Sequence, residues 1–283
     1  MDSHPRKGRG GPAAAIAGRR RTPGLGVRAV PWLFWLVLPL VVPACLVVLW
    51  EIASRRGVLR PAILPAPSLI KDTLIDLVRS GELWGHLKIS LWRVLQGFSI
   101  GAGFGLLVGM VTGVSAVAER ALVLLTGVLR PIPIIAWVPV LILWMGIDES
   151  SKITVIAIGS FWPVLLNVVH GIRNTNRHYL EVASILKKSR LTVLRRVVLP
   201  SALPAIFTGV RIGIGIAWVS VVGAELIAAS SGVGYMIMYA REVSQADVML
   251  VGVGAIGVTG LVTDAGLRRV ERRVLAWNVS GEK

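Results

Sequence analysis

The chain has 283 residues, 54% of them hydrophobic and 16% charged, and its mean hydropathy is +0.71. Soluble domains carry roughly 25% charged residues, so this composition excludes an ordinary soluble protein and indicates an integral membrane protein. The net charge of +16 does not predict a nucleic-acid partner, because the basic residues cluster in segments explained by membrane topology and by attraction to anionic lipid.

Apolar runs of about 20 residues predict six membrane-spanning helices. The predicted spans cover residues 32–50, 94–114, 131–147, 153–170, 206–228 and 248–267. Arg130 and nearby prolines interrupt the third span, and we place residues 121–129 before it as an interfacial segment on the inner side. The single cysteine, Cys45, lies in the first span, so no internal disulfide is expected.

The distribution of Lys and Arg predicts the topology, because these residues resist translocation. They collect in the N-terminal tail, in residues 173–204 and at the end of the chain. With six spans these segments share one side, so both termini are predicted to be cytoplasmic. We expect a basic, disordered tail over residues 1–30, a membrane domain over residues 31–277 and a second tail over residues 278–283.

The predicted outer loop, residues 51–93, also carries basic residues, the last of which is Arg93. The excess of Lys and Arg on the predicted cytoplasmic side is therefore smaller than it would otherwise be. Part of it is typical of a surface helix that starts after Pro67, with Ser68 as N-cap and Ser80-Gly81 as its end. Its apolar face consists of Leu69, Ile70, Leu74, Leu77 and Val78. We expect this helix to lie along the outer membrane surface.

Glycine recurs every four residues along the second span. The members of this glycine stripe are Gly97, Gly101, Gly105, Gly109 and Gly113. Small residues at this spacing let the backbone of another helix approach closely, so the stripe predicts a helix-packing face. The alternative is that glycine is simply frequent in membrane helices, which explains a single pair better than five residues in register.

The sequence contains no motif for a catalytic, metal-binding or nucleotide-binding site. The four histidines do not form a pair at metal-ligand spacing on one helix, and no nucleophile motif or GxxxxGK[ST] phosphate loop is present. We therefore expect no catalytic residue and no metal site. If the protein drives active transport, another chain must supply the energy.

Three charged residues interrupt the predicted spans: Arg211, Glu225 and Asp264. A charge near the bilayer centre costs about 2.5–3.5 kcal/mol on insertion scales, which marks each as a functional candidate. Arg211 can reach the cytoplasmic surface, and Glu225 lies too far from it to pair along one helix. Glu225 must therefore face the outer mouth alone or meet a neighbour. We assign Trp137, Glu225 and Arg211 to a translocation path, with helix packing or interface anchoring as the alternative.

The polar stretch EVASILKKSRLTVLRRVVLPSALP, residues 181–204, separates two apolar runs. Leu180, Ala183 and Leu186 share one side of a first short helix. Leu191, Leu194 and Val198 share one side of a second. The pattern predicts a helix, a bend at the basic residues and a helix that Pro200 and Pro204 close before the fifth span.

These residues resemble the inner-membrane permease subunits of ABC importers, in the branch for nitrate, sulfonate, taurine and bicarbonate. The resemblance rests on Glu181-Val182-Ala183 and Leu199-Pro200, which are similar to the cytoplasmic Glu-Ala-Ala loop of the family and its Leu-Pro end. It extends over residues 64–277 and includes LPAPS at 64–68, LRPIPIIAWVPVLILWMGI at 129–147, GVRIGIGIAW at 209–218, AELIAASSGVGYMI at 224–237 and RRVLAW at 272–277.

The resemblance implies an all-α type I importer permease in the bacterial inner membrane. The segment 173–204 would then dock on a cytoplasmic ATPase subunit, which binds the ATP and Mg²⁺, while this chain holds no cofactor. The docking residues implied are Glu181, Val182, Ala183, Ser184, Leu186, Lys187, Lys188, Ser189 and Arg190. The further partners implied are a second permease copy, expected to be identical, and an extracytoplasmic substrate-binding protein.

The same resemblance implies a small anion such as a sulfonate, taurine or nitrate as the substrate. Related permeases carry neutral pyrimidine precursors of thiamine, which is one alternative. A secondary transporter driven by an ion gradient and a membrane-embedded enzyme are two others, although the matching broken helices of the former are not evident in the sequence.

One residue departs from the family pattern, since Lys187 stands where a glycine usually follows the first short helix. A left-handed backbone there would cost lysine roughly 1–2 kcal/mol relative to glycine. We therefore expect the bend to move to Lys188-Ser189, or the first helix to continue further.

Overall fold

The computed structural model describes residues 32–277, so the two predicted tails lie outside the described residues. Helix α1 spans Trp32–Arg55 and contains the first predicted span. The described residues divide into two units, the first ending at Leu49 and the second beginning at Trp50.

Helices account for nearly all of the second unit, and no strand occurs in the part of the chain that the structure describes. The further helices are α2 (Pro67–Arg79), α3 (Glu82–Val114), α4 (Ala116–Leu129), α5 (Ile134–Met145), α6 (Glu149–Arg173), α7 (Arg177–Ile185), α8 (Arg190–Val193), α9 (Leu199–Ala228), α10 (Val233–Glu242) and α11 (Ala246–Val274), with a π-helical turn at Leu194–Val198. The predicted all-α class is confirmed for these residues.

Four helical stretches among the described residues are long and apolar enough to cross a membrane. They are α3, α6, the continuous helix Arg190–Ala228 and α11, and they contain the second, fourth, fifth and sixth predicted spans. Helices α4 and α5 qualify together but are bent by 95° at the break between them. That break falls at Arg130 and the prolines that follow it.

The centre of the bundle is the contact of α6 with α3 on one side and with α9 on the other. Val94, Ile156 and Val221, one from each of these helices, are completely buried in a shared apolar cluster. Elsewhere large apolar side chains such as Leu143 and Leu261 are exposed. This distribution suits a bilayer, where lipid covers the outer apolar surface and close packing holds the helices together.

Helix α2 corrects one sequence expectation and confirms another. Ser68 is not the N-cap: Ala66 takes that position, Pro67 opens the helix, and the Ser68 N–H donates to Glu51 at 3.0 Å. A proline at the first position suits a helix start, because its missing N–H has no helical partner there. The helix ends at Ser80-Gly81 as predicted, with Gly81 at φ 79°.

The α2 face predicted to be apolar is only partly covered. Leu77 is buried in a cluster with Val233 and Met236 of α10, whereas Leu69, Leu74 and Val78 are exposed. Helix α10 itself is absent from the sequence prediction, because ten residues of mixed polarity give neither a span nor a clear period.

Candidate coupling and translocation sites

Helix α7 forms the first half of the polar segment and shows most of its apolar surface to solvent. The side-chain oxygen of Asn176 accepts a hydrogen bond from the His178 N–H at 3.0 Å and so caps the helix start. Ala183 is buried, while Val182 and Leu186 are more than half exposed. The other predicted docking residues, Glu181, Ser184, Lys187, Lys188, Ser189 and Arg190, are all exposed.

The bend after α7 corrects the prediction for Lys187. Lys187 itself adopts the left-handed conformation, with φ 48°. Its N–H donates to the Ser184 carbonyl at 2.9 Å, and the Lys188 N–H donates to the Ala183 carbonyl at 3.2 Å. This pair of hydrogen bonds is a Schellman motif, which normally places glycine at the left-handed position. The two backbone hydrogen bonds offset the strain, so the bend neither moves nor disappears.

The second half of the segment is continuous with the fifth span, which corrects the predicted boundary at Pro200. Ser189 caps α8 by accepting the Thr192 N–H at 3.3 Å, and the helix then runs from Arg190 to Ala228 over 39 residues. The π-helical turn at Leu194–Val198 lies directly before Pro200. A widened turn gives the proline ring room, which explains why the helix does not break there.

A groove of about 710 Å³ separates α7 from the start of the long helix. Val182, Ala183 and Leu186 line one wall, and Pro200 and Trp277 contribute to the rest. Four predicted docking residues therefore reach this groove, because Lys188 also lines it. The structure brings Val182, Ala183, Leu186 and Lys188 to this groove, and the other members of the predicted docking set do not line it.

The glycine stripe of α3 lies against α6 along its full length. A Cβ built on Gly105 would lie 2.8 Å from the Phe161 carbonyl oxygen, and one on Gly109 would lie 2.8 Å from the Val168 Cβ. A real Cβ atom does not come this close to another heavy atom, so only glycine fits there without a shift of the helices. The remaining members, Gly97, Gly101 and Gly113, face Ile156, Ala157 and Ile172 of the same helix.

A buried ion-pair network lies at the far end of the bundle from α7. The Arg93 side chain is 2% exposed, and that of Glu225 is fully buried. Arg93 Nη1 donates to Glu225 at 2.9 Å, and Arg93 Nε and Nη2 donate to the two carboxylate oxygens of Glu149 at 2.6 Å each. The bidentate fork is the strong geometry for a guanidinium and a carboxylate. It joins α3, α6 and α9.

The same network holds the loop between α9 and α10. Arg93 Nη1 donates to the Ser231 carbonyl at 2.6 Å, and the Gly234 N–H donates to Glu225 at 2.9 Å. Ser90 Oγ donates to the Glu225 carboxylate and accepts the Val233 N–H at 2.9 Å. Each buried polar group in this cluster thus has a partner, which the low dielectric of the site requires.

Sequence reasoning missed Arg93, Glu149 and Lys152 as members of this cluster. Arg93 was assigned to the outer loop, but α3 begins at Glu82, so Arg93 lies within the helix. Lys152 is buried and donates to Glu149 at 3.3 Å. The available signal was the excess of basic residues in the outer loop, which topology alone does not explain.

The structure separates the three residues predicted for the translocation path. Glu225 meets a neighbour, the second of the two predicted arrangements, and its burial favours the helix-packing alternative, although a role in translocation stays a prediction. Arg211 contacts Asp264 at 3.3 Å and Glu271 at 3.6 Å on α11, and does not reach Glu225. Trp137 lines a cavity of about 420 Å³ beside the break between α4 and α5.

Residues 101–276 match the family described as binding-protein-dependent transport system inner membrane component. The chain belongs to this family. Members are non-enzymatic, multi-pass permeases of the inner membrane, and the family implies separate ATPase and substrate-binding partners.

Curated relatives cover most of the chain. It is 43% identical over 243 residues to the aliphatic sulfonates transport permease SsuC of Bacillus subtilis, covering 86% of this chain and 88% of the relative. It is 34% identical to the taurine permease TauC of Escherichia coli, over 83% of this chain and 87% of the relative. It is 33% identical to the bicarbonate permease CmpB of Synechococcus elongatus, over 85% and 90%.

Two solved transporters share the fold at low sequence identity. An inward-facing MetNI methionine ABC transporter aligns with TM-score 0.55 and 18% identity, covering 65% of this chain and 94% of the other. An amino acid ABC transporter solved with histidines aligns with TM-score 0.58 and 17% identity, covering 71% and 98%. The fold is therefore that of a type I ABC importer permease.

Proposed function

We propose that this permease imports an aliphatic sulfonate. The observation that carries the proposal is the 43% identity to SsuC of Bacillus subtilis over 86% of the chain. SsuC of Escherichia coli is 42% identical over 88% of the chain, whereas the taurine and bicarbonate permeases are 34% and 33% identical. Taurine is itself an aminoalkanesulfonate, so the favoured substrate class is a small alkyl chain with a sulfonate group.

We further propose that α7 docks on a cytoplasmic ATPase, which binds ATP and Mg²⁺. The exposed apolar residues Val182 and Leu186 and the adjoining groove support this, because a docking surface needs an apolar centre that the free chain leaves uncovered. The Schellman motif at Lys187 ends α7, and the short segment 186–189 connects it to the long helix Arg190–Ala228. Through so short a connection, movement of α7 would displace the whole helix and not only a loop.

The long helix ends at the buried ion-pair network, which supports a coupled outer gate. Glu225 joins its outer end to Arg93 of α3 and to the backbone at Gly234. A shift of the helix would then change the position of the loop that begins α10. We propose that a second copy of this chain supplies the other half of the path, since family members function with partners and the chain has exposed apolar surface on α4 and α5, such as Val123 and Trp144.

Reconstitution of the complete importer tests the proposed substrate. The permease, its ATPase and its binding protein are placed in proteoliposomes, and uptake of labelled ethanesulfonate is compared with uptake of taurine, nitrate, bicarbonate and a thiamine-precursor pyrimidine. We expect ATP-dependent uptake of the alkanesulfonate and a mass of two permeases per complex. Uptake of the pyrimidine alone, or uptake by the isolated permease under a proton gradient, contradicts the proposal.

A further inference from the structure

The cavity beside the break between α4 and α5 combines one cation with aromatic and aliphatic walls. Its volume of about 420 Å³ lies in the range of small-molecule sites. The lining includes Arg130, Trp137, Trp162, Asn167, Ile212 and Ile216. No carboxylate belongs to the lining described by the structure, so the electrostatic character of the cavity is positive.

Arg130 differs in its partners from three cations that lie between the helices of the bundle. Arg93, Lys152 and Arg211 each contact a carboxylate. Arg130, at the end of α4, is exposed and has no acidic partner within residues 32–277. Its guanidinium lies at the break in the span and lines the cavity, with no carboxylate of the described residues paired to it. An anion that enters the cavity therefore meets a cation without a competing carboxylate.

The surroundings of Arg130 suit a sulfonate better than a fully hydrated inorganic ion. A guanidinium binds oxyanions through two parallel hydrogen bonds, which match the geometry of a sulfonate group. Trp137, Trp162 and Ile216 offer an apolar surface for an alkyl chain. Asn167 is held in place because its side-chain N–H donates to the Pro163 carbonyl at 2.8 Å.

We infer that Arg130 binds the sulfonate group of the substrate during translocation, with the alkyl chain against Trp137 and Trp162. The inference rests on the proposed function and adds a site to it. The broken span supports the assignment, because discontinuous helices form substrate sites in other membrane transporters. The cavity lies beside α6 at Gly159 and Pro163, so the site is inside the membrane domain and separate from any binding protein.

The test compares Arg130→Gln with Arg120→Gln in the complete importer in proteoliposomes. Arg120 is an exposed arginine on the same helix and does not line the cavity, so it controls for loss of one charge from α4. We expect ethanesulfonate uptake to fall at least tenfold in Arg130→Gln, to recover in part in Arg130→Lys and to stay unchanged in Arg120→Gln. Stimulation of ATP hydrolysis by loaded binding protein should persist in each. Wild-type uptake by Arg130→Gln overturns the inference.

Two additional arms keep the inference testable. A lipid phosphate is the other source of an oxyanion, so the uptake defect of Arg130→Gln is measured in neutral and in anionic vesicles. A defect of equal size in both supports a substrate contact, and a defect confined to anionic vesicles overturns it.

If Arg130→Gln does not fold, Trp162→Ala replaces it. Removal of the indole enlarges the apolar part of the cavity, so the preference should shift from ethanesulfonate toward longer alkanesulfonates. An unchanged preference for chain length overturns the inference. Absence of sulfonate uptake by the wild-type importer contradicts the proposed function itself, which is a separate outcome.

Discussion

Lys187 shows how a single backbone angle limits the stability of the coupling segment. Its φ of 48° is a conformation in which the Cβ of lysine costs roughly 1 kcal/mol. We expect Lys187→Gly to remove this strain and to raise the thermal unfolding midpoint in detergent by about 2 °C. Lys188→Gly is the control, because Lys188 does not have a positive φ. An equal rise in both variants, or none in Lys187→Gly, contradicts this reading.

Arg93 is the residue on which the buried network depends. Arg93→Met leaves Glu225 buried without its cation, and removal of one partner of a buried pair costs about 3–5 kcal/mol. We expect a large loss of yield and thermal stability in this variant. Arg79→Met, at an exposed position, should behave like wild type.

A double variant separates the electrostatic cause from lost packing. If the stranded charge is the cause, Arg93→Met combined with Glu225→Leu should regain part of the stability that the single variant loses. A double variant less stable than Arg93→Met would show that shape, and not charge, dominates the site.

At the scale of helices, the contact between α3 and α6 depends on the absence of side chains. Gly105 faces the Phe161 carbonyl and the Val164 side chain, so Gly105→Leu should force the helices apart. We expect the overpacking to lower the free energy of unfolding by about 1–3 kcal/mol. Gly103→Leu is a matched control on the same helix, because a Cβ there meets no atom within 4 Å. Equal stability of the two variants contradicts the packing role.

Helix α7 provides a test of coupling. Ala183 is buried against the groove, so Ala183→Asp should place a charge in the surface that we propose docks on the ATPase, at a cost of several kcal/mol for a charge buried without a partner. We expect the variant to insert normally but to lose pulldown of the ATPase or the stimulation of hydrolysis by loaded binding protein. His178→Asp, at an exposed position in the first turn of α7, controls for added negative charge. If Ala183→Asp retains wild-type ATPase pulldown and wild-type stimulation of hydrolysis, the coupling role is excluded.

The sequence predicts the long membrane-spanning helices, but it does not predict the features that depend on contacts between helices. A span must be about 20 apolar residues long, so α6, α9 and α11 follow from hydropathy. The position of Arg93 inside a helix could not be predicted in this way. Hydropathy averaged over a sequence window places a charged residue outside a span, even when carboxylates on other helices pair with it. The conformation of Lys187 did not follow either, since propensity favours glycine there and the decisive hydrogen bonds come from α7.

For the whole molecule, the charge distribution makes a topological prediction. Both termini are expected in the cytoplasm, because basic residues collect in the first tail, in the last turns of α11 and in the segment around α7. Reporter fusions after Lys283 and before Pro31 should both show activity inside the cell. An outward-facing C-terminus would require an odd number of spans.

The helix Arg190–Ala228 crosses α6 at a point that divides it into two arms of unequal length. A Cβ on Gly209 or Gly213 would meet Pro163, Val164 or Ser160 of α6, so the two helices pass close together there and the crossing can act as a pivot. At 1.5 Å per residue, the arm toward Arg190 is about 30 Å and the arm toward Glu225 about 20 Å. A rigid lever of these proportions converts a displacement of about 3 Å at the cytoplasmic end into about 2 Å at the outer end, in the opposite direction. A displacement of this size would separate the hydrogen-bonded atoms of Arg93 and Glu225, so we expect this ion pair to break when the Arg190 end of the helix moves.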